Sequence, residues 1–266
     1  MKKIQLTCAH AIVKYLISQK ILVDGKKLPL FAGTFGIFGH GNVACLGQAL
    51  EENKKELPTW RGHHEQNMAL TGIAYARAKR RKQIFVATSS VGPGSTNLLT
   101  AAAVAMSNRL PMLFLPGDTY ANRMPDPVLQ QVEHFNNPNI TQNDAFKYVC
   151  RYFDRITRPE QILQTLPNAI QTMIDPADCG PACISLSQDV QGETFDYPEE
   201  FFYEKVHSIR RPRPDDYQIK QAVELIKKSK NPIIISGGGI FYSDAMKELS
   251  QFAKKHNIPT AQTVMG

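Results

Sequence analysis

Between Ile84 and Asp118 the chain reads as strand, glycine turn, helix and strand, and few folds accommodate that order. Ile84–Ala87 is a short apolar run, and Gly92, Pro93 and Gly94 then force a tight turn. TNLLTAAAVAMSN (96–108) has the small-residue density of a helix packed closely on a sheet, and PMLFLPGD (111–118) supplies another strand. Such a unit leaves free backbone N–H groups at the carboxyl edge of a sheet, a common ligand position in open α/β folds, although a purely structural turn has the same signature. Further strand-like runs alternate with helical patterns at LPLFAGTF (28–35), ACISLS (182–187) and NPIIISGGG (231–239). The alternation predicts an α/β fold with a mostly parallel sheet and helices on both faces.

Just upstream, Met68, Ala69, Gly72, Ile73 and Ala76 follow Glu65 at i+3, i+4, i+7, i+8 and i+11. That spacing is one face of a helix, and Glu65 opens it. A carboxylate on a core-facing stripe must be paired, hydrogen-bonded or protonated. The alternative reading is a helix-start carboxylate complementing the positive end of the dipole.

Partners and compartment are bounded by composition. The net charge of +7 comes with one dense basic run, RAKRRK (77–82), which lacks interleaved aromatics and reads as a solvated helix end. Nucleic acid is therefore not an expected partner. No run approaches the roughly 18–20 apolar residues of a membrane span. His10, Lys14 and Gln19 interrupt any signal-peptide core, while Cys8, Ile12, Tyr15 and Leu16 take helical spacing behind Thr7 as N-cap. The five scattered cysteines argue against a disulfide framework and fit a cytoplasmic protein. Cys179 and Cys183 flank Pro181 without CxxC spacing and read as structural, and no histidine spacing suggests zinc.

Three segments are expected: a first domain over 1–188, an extended linker over 189–214 ending in RRPRP, and a second α/β unit over 215–266. In the second unit Ile219, Ala222, Val223 and Ile226 are expected to face inward. That unit stops before its sheet can close, so the chain is expected to be the N-terminal part of a longer protein. The helix near 159–174 has capping-box spacing at Thr157 and Glu160, and Pro167 is expected to bend or interrupt it.

Glu65 within GHHEQNMALTGIAYAR (62–77), followed by Gly92, Pro93, Gly94 and Asn97, resembles the pyrimidine-binding domain of thiamine-diphosphate enzymes of the acetolactate synthase and pyruvate decarboxylase type. In that family a helix glutamate activates the cofactor and a GPGxxN turn borders the pyrimidine ring. The resemblance thus implies Glu65 as the catalytic acid, with Pro93, Asn97, Gln130, Phe38 and Gly39 around the ring. His40 in FGHGN (38–42) is placed to touch substrate. His63 and His64 read as turn and helix-start residues, with substrate contact as the alternative. FGIFGHGNVACLGQALE (35–51), the run from Asn108 to Phe135, 143–161 and 187–202 are similar to one branch of the superfamily, hydrolases that open an inositol-derived cyclic dione. A 2-oxo-acid lyase is the alternative within the superfamily, and a nucleotide-binding module built on SGGGI (236–240) the alternative outside it.

The family anchors its diphosphate through Mg²⁺ at a GDG motif followed by an asparagine-rich segment. No GDG occurs here, and PGDTY (116–120) lacks the second glycine. The resemblance therefore implies thiamine diphosphate and Mg²⁺ as cofactors, with no metal ligands in this stretch. It also implies a homo-oligomer whose site is completed by a second chain.

Overall fold

The computed structural model describes residues 2–125, 128–132, 134 and 136–265. The chain divides into two compact units, Met1–Ile209 and Arg210–Gly266. The first is organised by a parallel sheet in the order Thr59–Arg61, Phe31–Ile37, Ile84–Ser89, Leu113–Phe114, Ala182–Ser187. Gly117–Asp118 continues the Leu113–Phe114 strand along the same flank of Ala182–Ser187, and Tyr152–Ile156 pairs on the opposite flank. Pro116 interrupts the continuing strand because it has no N–H to donate to a ladder.

Both faces of this sheet are covered, which is why Ile84–Ser89 and Ala182–Ser187 are buried at every position. Side chains alternate in direction along each strand. Ile84 and Val86 join one core with helices Cys8–Ser18 and Ile162–Met173. Phe85 points the other way and meets Tyr75 of helix Glu65–Ala78 edge-on, with ring centroids 4.9 Å apart. Helix Leu99–Ser107 lies beside that helix and buries Ala101, Ala102 and Ala105. The α/β architecture read from the alternation is the one observed.

Thr7 caps the first helix as its position implies, its hydroxyl accepting from the His10 N–H. Three expectations are corrected. Residues 189–214 are not a free linker as far as Ile209: Thr194–Pro198 pairs antiparallel with Lys3–Thr7, and Lys205–His207 pairs in parallel with Gln19–Val23. Tyr197, fully buried, anchors the former strand; the surrounding charges masked its alternation. Of the bend or interruption expected at Pro167, the interruption does not occur: Pro167 is the sixth of twelve residues in Ile162–Met173. The buried stripe Ile162, Leu166, Ala169, Ile170 and Met173 holds the helix although the proline ring costs the hydrogen bond to the Leu163 carbonyl. The cap of that helix is also shifted: Gln161 Oε1 accepts the backbone N–H groups of Thr157 and Arg158.

In the second unit, strands Ile234–Ser236 and Thr260–Gln262 pair in parallel beside helices Asp216–Lys228, Gly238–Tyr242 and Met246–His256. The stripe Ile219, Ala222, Val223, Ile226 forms on the first of these helices but is exposed rather than inward. Two strands present too little apolar surface to cover it. Among the described residues no helix is long and apolar enough to cross a membrane.

Candidate active site

At the carboxyl ends of Phe31–Ile37 and Ile84–Ser89, the side chains singled out in the sequence converge. Glu65 is the first residue of its helix, behind an extended His64 that makes no side-chain cap. The stripe behind it, Met68, Ala69, Gly72, Ile73 and Ala76, is the buried face of that helix. Glu65 itself is half-buried. Its Oε2 accepts from Asn97 Nδ2 at 2.8 Å, and its Oε1 lies 3.5 Å from where a side chain on Gly94 would begin. One carboxylate oxygen is thus fixed, and the other faces a glycine.

The turn that brings Asn97 there depends on Gly92. Its φ of +63° lies in the left-handed region, and a Cβ would fall 1.7 Å from the Gln130 carbonyl oxygen. Pro93 then opens the short helix Pro93–Thr96, and Asn97 caps its end. Gln130 therefore touches this turn through its backbone, while its residue surface is exposed. His64 is exposed and its Nε2 lies 3.5 Å from Asn97 Nδ2. His63 lines a cavity of ≈ 400 Å³ with Ile37, Arg61 and Gly62. Phe38, half-buried, packs against Gly36 and Gly47; Gly39 has φ +54° and covers Ser90; His40 follows.

A second layer of residues was not legible in the sequence. Ser95, one step beyond Gly94, hydrogen-bonds Asn143 Oδ1. Asn143 Nδ2 donates to the Gly117 carbonyl at 2.9 Å and to Ser185 Oγ at 2.7 Å. Ser185 Oγ donates to Asp118, which is also held by Arg155 Nε at 2.7 Å. Asp118, the aspartate of PGDTY, is 2 % exposed and engaged in this ion pair. Burial works against the Arg155 charge, but Asp118 and Asp144 outweigh it and hold the guanidinium pKa up. Burial likewise pushes the Asp144 carboxyl up, and bonds from Lys147, Arg155 and the Thr141 N–H more than reverse it. Asn143 follows a segment with no periodic signal, so only the fold could reveal this link.

All five cysteines are free thiols; Cys183 is fully buried, and burial pushes both it and Cys179 up, the latter to about 12. Among the described residues no group of three or more His, Cys, Asp or Glu could hold a metal ion.

Residues 32–138 match the N-terminal TPP binding domain of thiamine pyrophosphate enzymes, and residues 219–266 match the central domain of the same enzymes. The chain belongs to the thiamine pyrophosphate enzyme family. It is 51% identical over all 266 residues to a 3D-(3,5/4)-trihydroxycyclohexane-1,2-dione hydrolase of Clostridium tetani. Identity is 50% to the hydrolases of that name from Geobacillus thermodenitrificans and Halalkalibacterium halodurans, again over all 266 residues. The chain spans 41% of the length of the first and 42% of each of the other two. The TPP-binding match covers Glu65, the Gly92–Asn97 turn and the Phe38–Asn42 segment.

Proposed function

We propose that this chain supplies the cofactor-activating domain of a thiamine-diphosphate-dependent hydrolase that opens 3D-(3,5/4)-trihydroxycyclohexane-1,2-dione to 5-deoxy-glucuronate. The observation that carries the reading is the Glu65 carboxylate, held by Asn97 on one oxygen and facing Gly94 with the other. The name shared by relatives of about half-identical sequence supports the substrate.

The residues present fit the cofactor. Thiamine diphosphate carries a flat aminopyrimidine, and the missing side chain at Gly94 leaves space beside Glu65 Oε1 that a Cβ would fill. When bound, the cofactor supplies a carbon nucleophile and an electron sink for breaking a bond next to a carbonyl. Glu65 then holds or gives a proton at Oε1. Asn97, bonded to Oε2, fixes the plane of the carboxyl so that the proton is presented in one direction. Pro93, Phe38 and Gly39 border the ring, Gln130 closes the turn from outside, and His40 faces the substrate side.

Mg²⁺ and the diphosphate are assigned to the part of the relatives that this chain does not span, and the complete site to an assembly of at least two chains. We place the enzyme in the cytoplasm, in inositol catabolism, with a small cyclic dione as its substrate and neither nucleic acid nor membrane as a partner. The test is product analysis: the longest polypeptide carrying this chain, given thiamine diphosphate, Mg²⁺ and the dione, should release the open-chain deoxy-uronate. Condensation of pyruvate with no attack on the dione would refute the reading in favour of a 2-oxo-acid enzyme.

A further inference from the structure

Around the segment Phe38–Asn42, several buried polar atoms have no hydrogen-bond partner among the described residues: Ser90 Oγ, His40 Nε2, Gln188 Oε1 and Gln191 Oε1. All four lie on or against Phe38–Asn42. Ser90, only 6 % exposed, sits beneath Gly39, whose added Cβ would fall 2.4 Å from its Oγ. Gln188 Nε2 donates to the His40 carbonyl at 3.4 Å, and Gln191 Nε2 donates to Asn42 Oδ1 at 2.9 Å and to the Gly41 carbonyl at 3.3 Å. Gly94 joins this rim to the acid, its added Cβ lying 3.3 Å from Ser90 Cβ and 3.5 Å from Glu65 Oε1.

Buried polar groups are ordinarily satisfied, and each one left unpaired costs about 1–3 kcal/mol. Several around one short segment, which Ser90 and Gly94 join to the acid, point to a ligand. Their chemistry says which kind. The Gln191 amide is oriented by the oxygens it donates to, since a flipped amide would set oxygen against oxygen, and the long contact from Gln188 Nε2 to the His40 carbonyl sets the same sense loosely. Each therefore presents a carbonyl oxygen, an acceptor only. A carboxylate offers no donor to such atoms, whereas a hydroxyl both donates and accepts and also suits Ser90 Oγ and His40 Nε2.

We propose that Ser90, Gln188 and His40 form a subsite that reads the ring hydroxyls of an uncharged, polyhydroxylated cyclic ketone, with Gln191 holding the segment from behind, and that this wall disfavours 2-oxo acids. The proposal rests on the hydrolase reading and deepens it. Gly39 is part of the device, because only a residue without a side chain fits over Ser90 at that φ.

The test uses Ser90→Ala and Gln188→Met in the longest polypeptide carrying this chain, loaded with cofactor. For the trihydroxylated dione, kcat/KM should fall about tenfold in each variant, the loss of one hydrogen bond of ~1.4 kcal/mol. Inhibition by unsubstituted cyclohexane-1,2-dione, which has no hydroxyls to read, should be equal in wild type and variants. Ser90→Ala should also melt no lower than wild type, since no protein bond is lost. Unchanged kcat/KM, equal weakening for the unsubstituted ring, or a Ser90→Ala melting point several degrees lower would each overturn the subsite. A wild type that leaves the dione untouched overturns the hydrolase reading. The subsite then stands only if 2-keto-myo-inositol raises the melting temperature of wild type more than that of Ser90→Ala.

Discussion

Glu65→Gln separates two roles of one side chain. Among the described residues the carboxylate accepts one side-chain hydrogen bond, from Asn97, and it stands at the first residue of its helix. The amide oxygen of glutamine can keep the Asn97 bond. Exchanging a charged acceptor for a neutral one costs about 1 kcal/mol, the difference between bonds worth about 1.5–3 and about 0.5–1.5 kcal/mol. Losing a negative charge from the first turn adds about 0.3–1 kcal/mol. The sum, about 1–2 kcal/mol, lowers the melting temperature by about 3–8 °C in a unit of this size. Loss of an acid that moves a proton in the reaction costs about 10²–10⁴ in rate, or about 3–5 kcal/mol of barrier. The variant should therefore fold and be nearly inactive. The assay is hydrogen–deuterium exchange at the thiazolium carbon of the bound cofactor, in the longest polypeptide carrying this chain, with thermal melting alongside. Exchange at the wild-type rate in a folded variant would remove Glu65 from the chemistry and leave it a helix-start carboxylate.

Two further predictions concern the frame. Burial, and then the Lys205 charge, hold His207 below its ordinary pKa of 6.5, so the folded state keeps a neutral ring bonded to Gln19 Oε1 at 2.9 Å. A depressed folded pKa contributes stability that is present above the unfolded value near 6.5 and lost as pH falls through the folded one. Urea midpoints should fall below pH 6.5 in wild type and fall less in His207→Gln; parallel profiles would contradict this. Limited proteolysis should cut first within 208–214, which has no regular structure, rather than in the paired strands Thr194–Pro198 and Lys205–His207. Early cleavage inside either strand would show that the pairing does not persist in solution.

What the sequence revealed followed from local periodicity. The Glu65 helix was legible because Met68, Ala69, Gly72, Ile73 and Ala76 obey a 3.6-residue period, and all five are buried. The glycine turn was legible because glycine reaches the left-handed φ that a tight turn needs and proline is pre-set for a first helical turn, as Gly92 and Pro93 are here. Strand Thr194–Pro198 was not, since it pairs with Lys3–Thr7 across the length of the unit and its charged neighbours imitate a linker. Nor was the Ser90–Gln188 rim, because what marks it is the absence of partners, a property only three dimensions possess. The exposed stripe at Ile219, Val223 and Ile226 teaches the converse: periodicity fixes which residues share a face, not what that face meets.

Asn143 bears on how binding free energy is distributed. Through Ser95 it ties the Gly92–Asn97 turn to the Gly117 carbonyl and, through Ser185, to the Asp118–Arg155 pair. A glycine-containing loop left to itself loses conformational entropy each time a ligand orders it. Here that loss is incurred once, when the sheet closes and the Asn143 amide finds its acceptors, so that on the proposed function an arriving cofactor would meet a turn already set. Loosening Asn143 would then register as weaker cofactor affinity at an unchanged contact surface, an effect felt at the site though its cause lies beneath it.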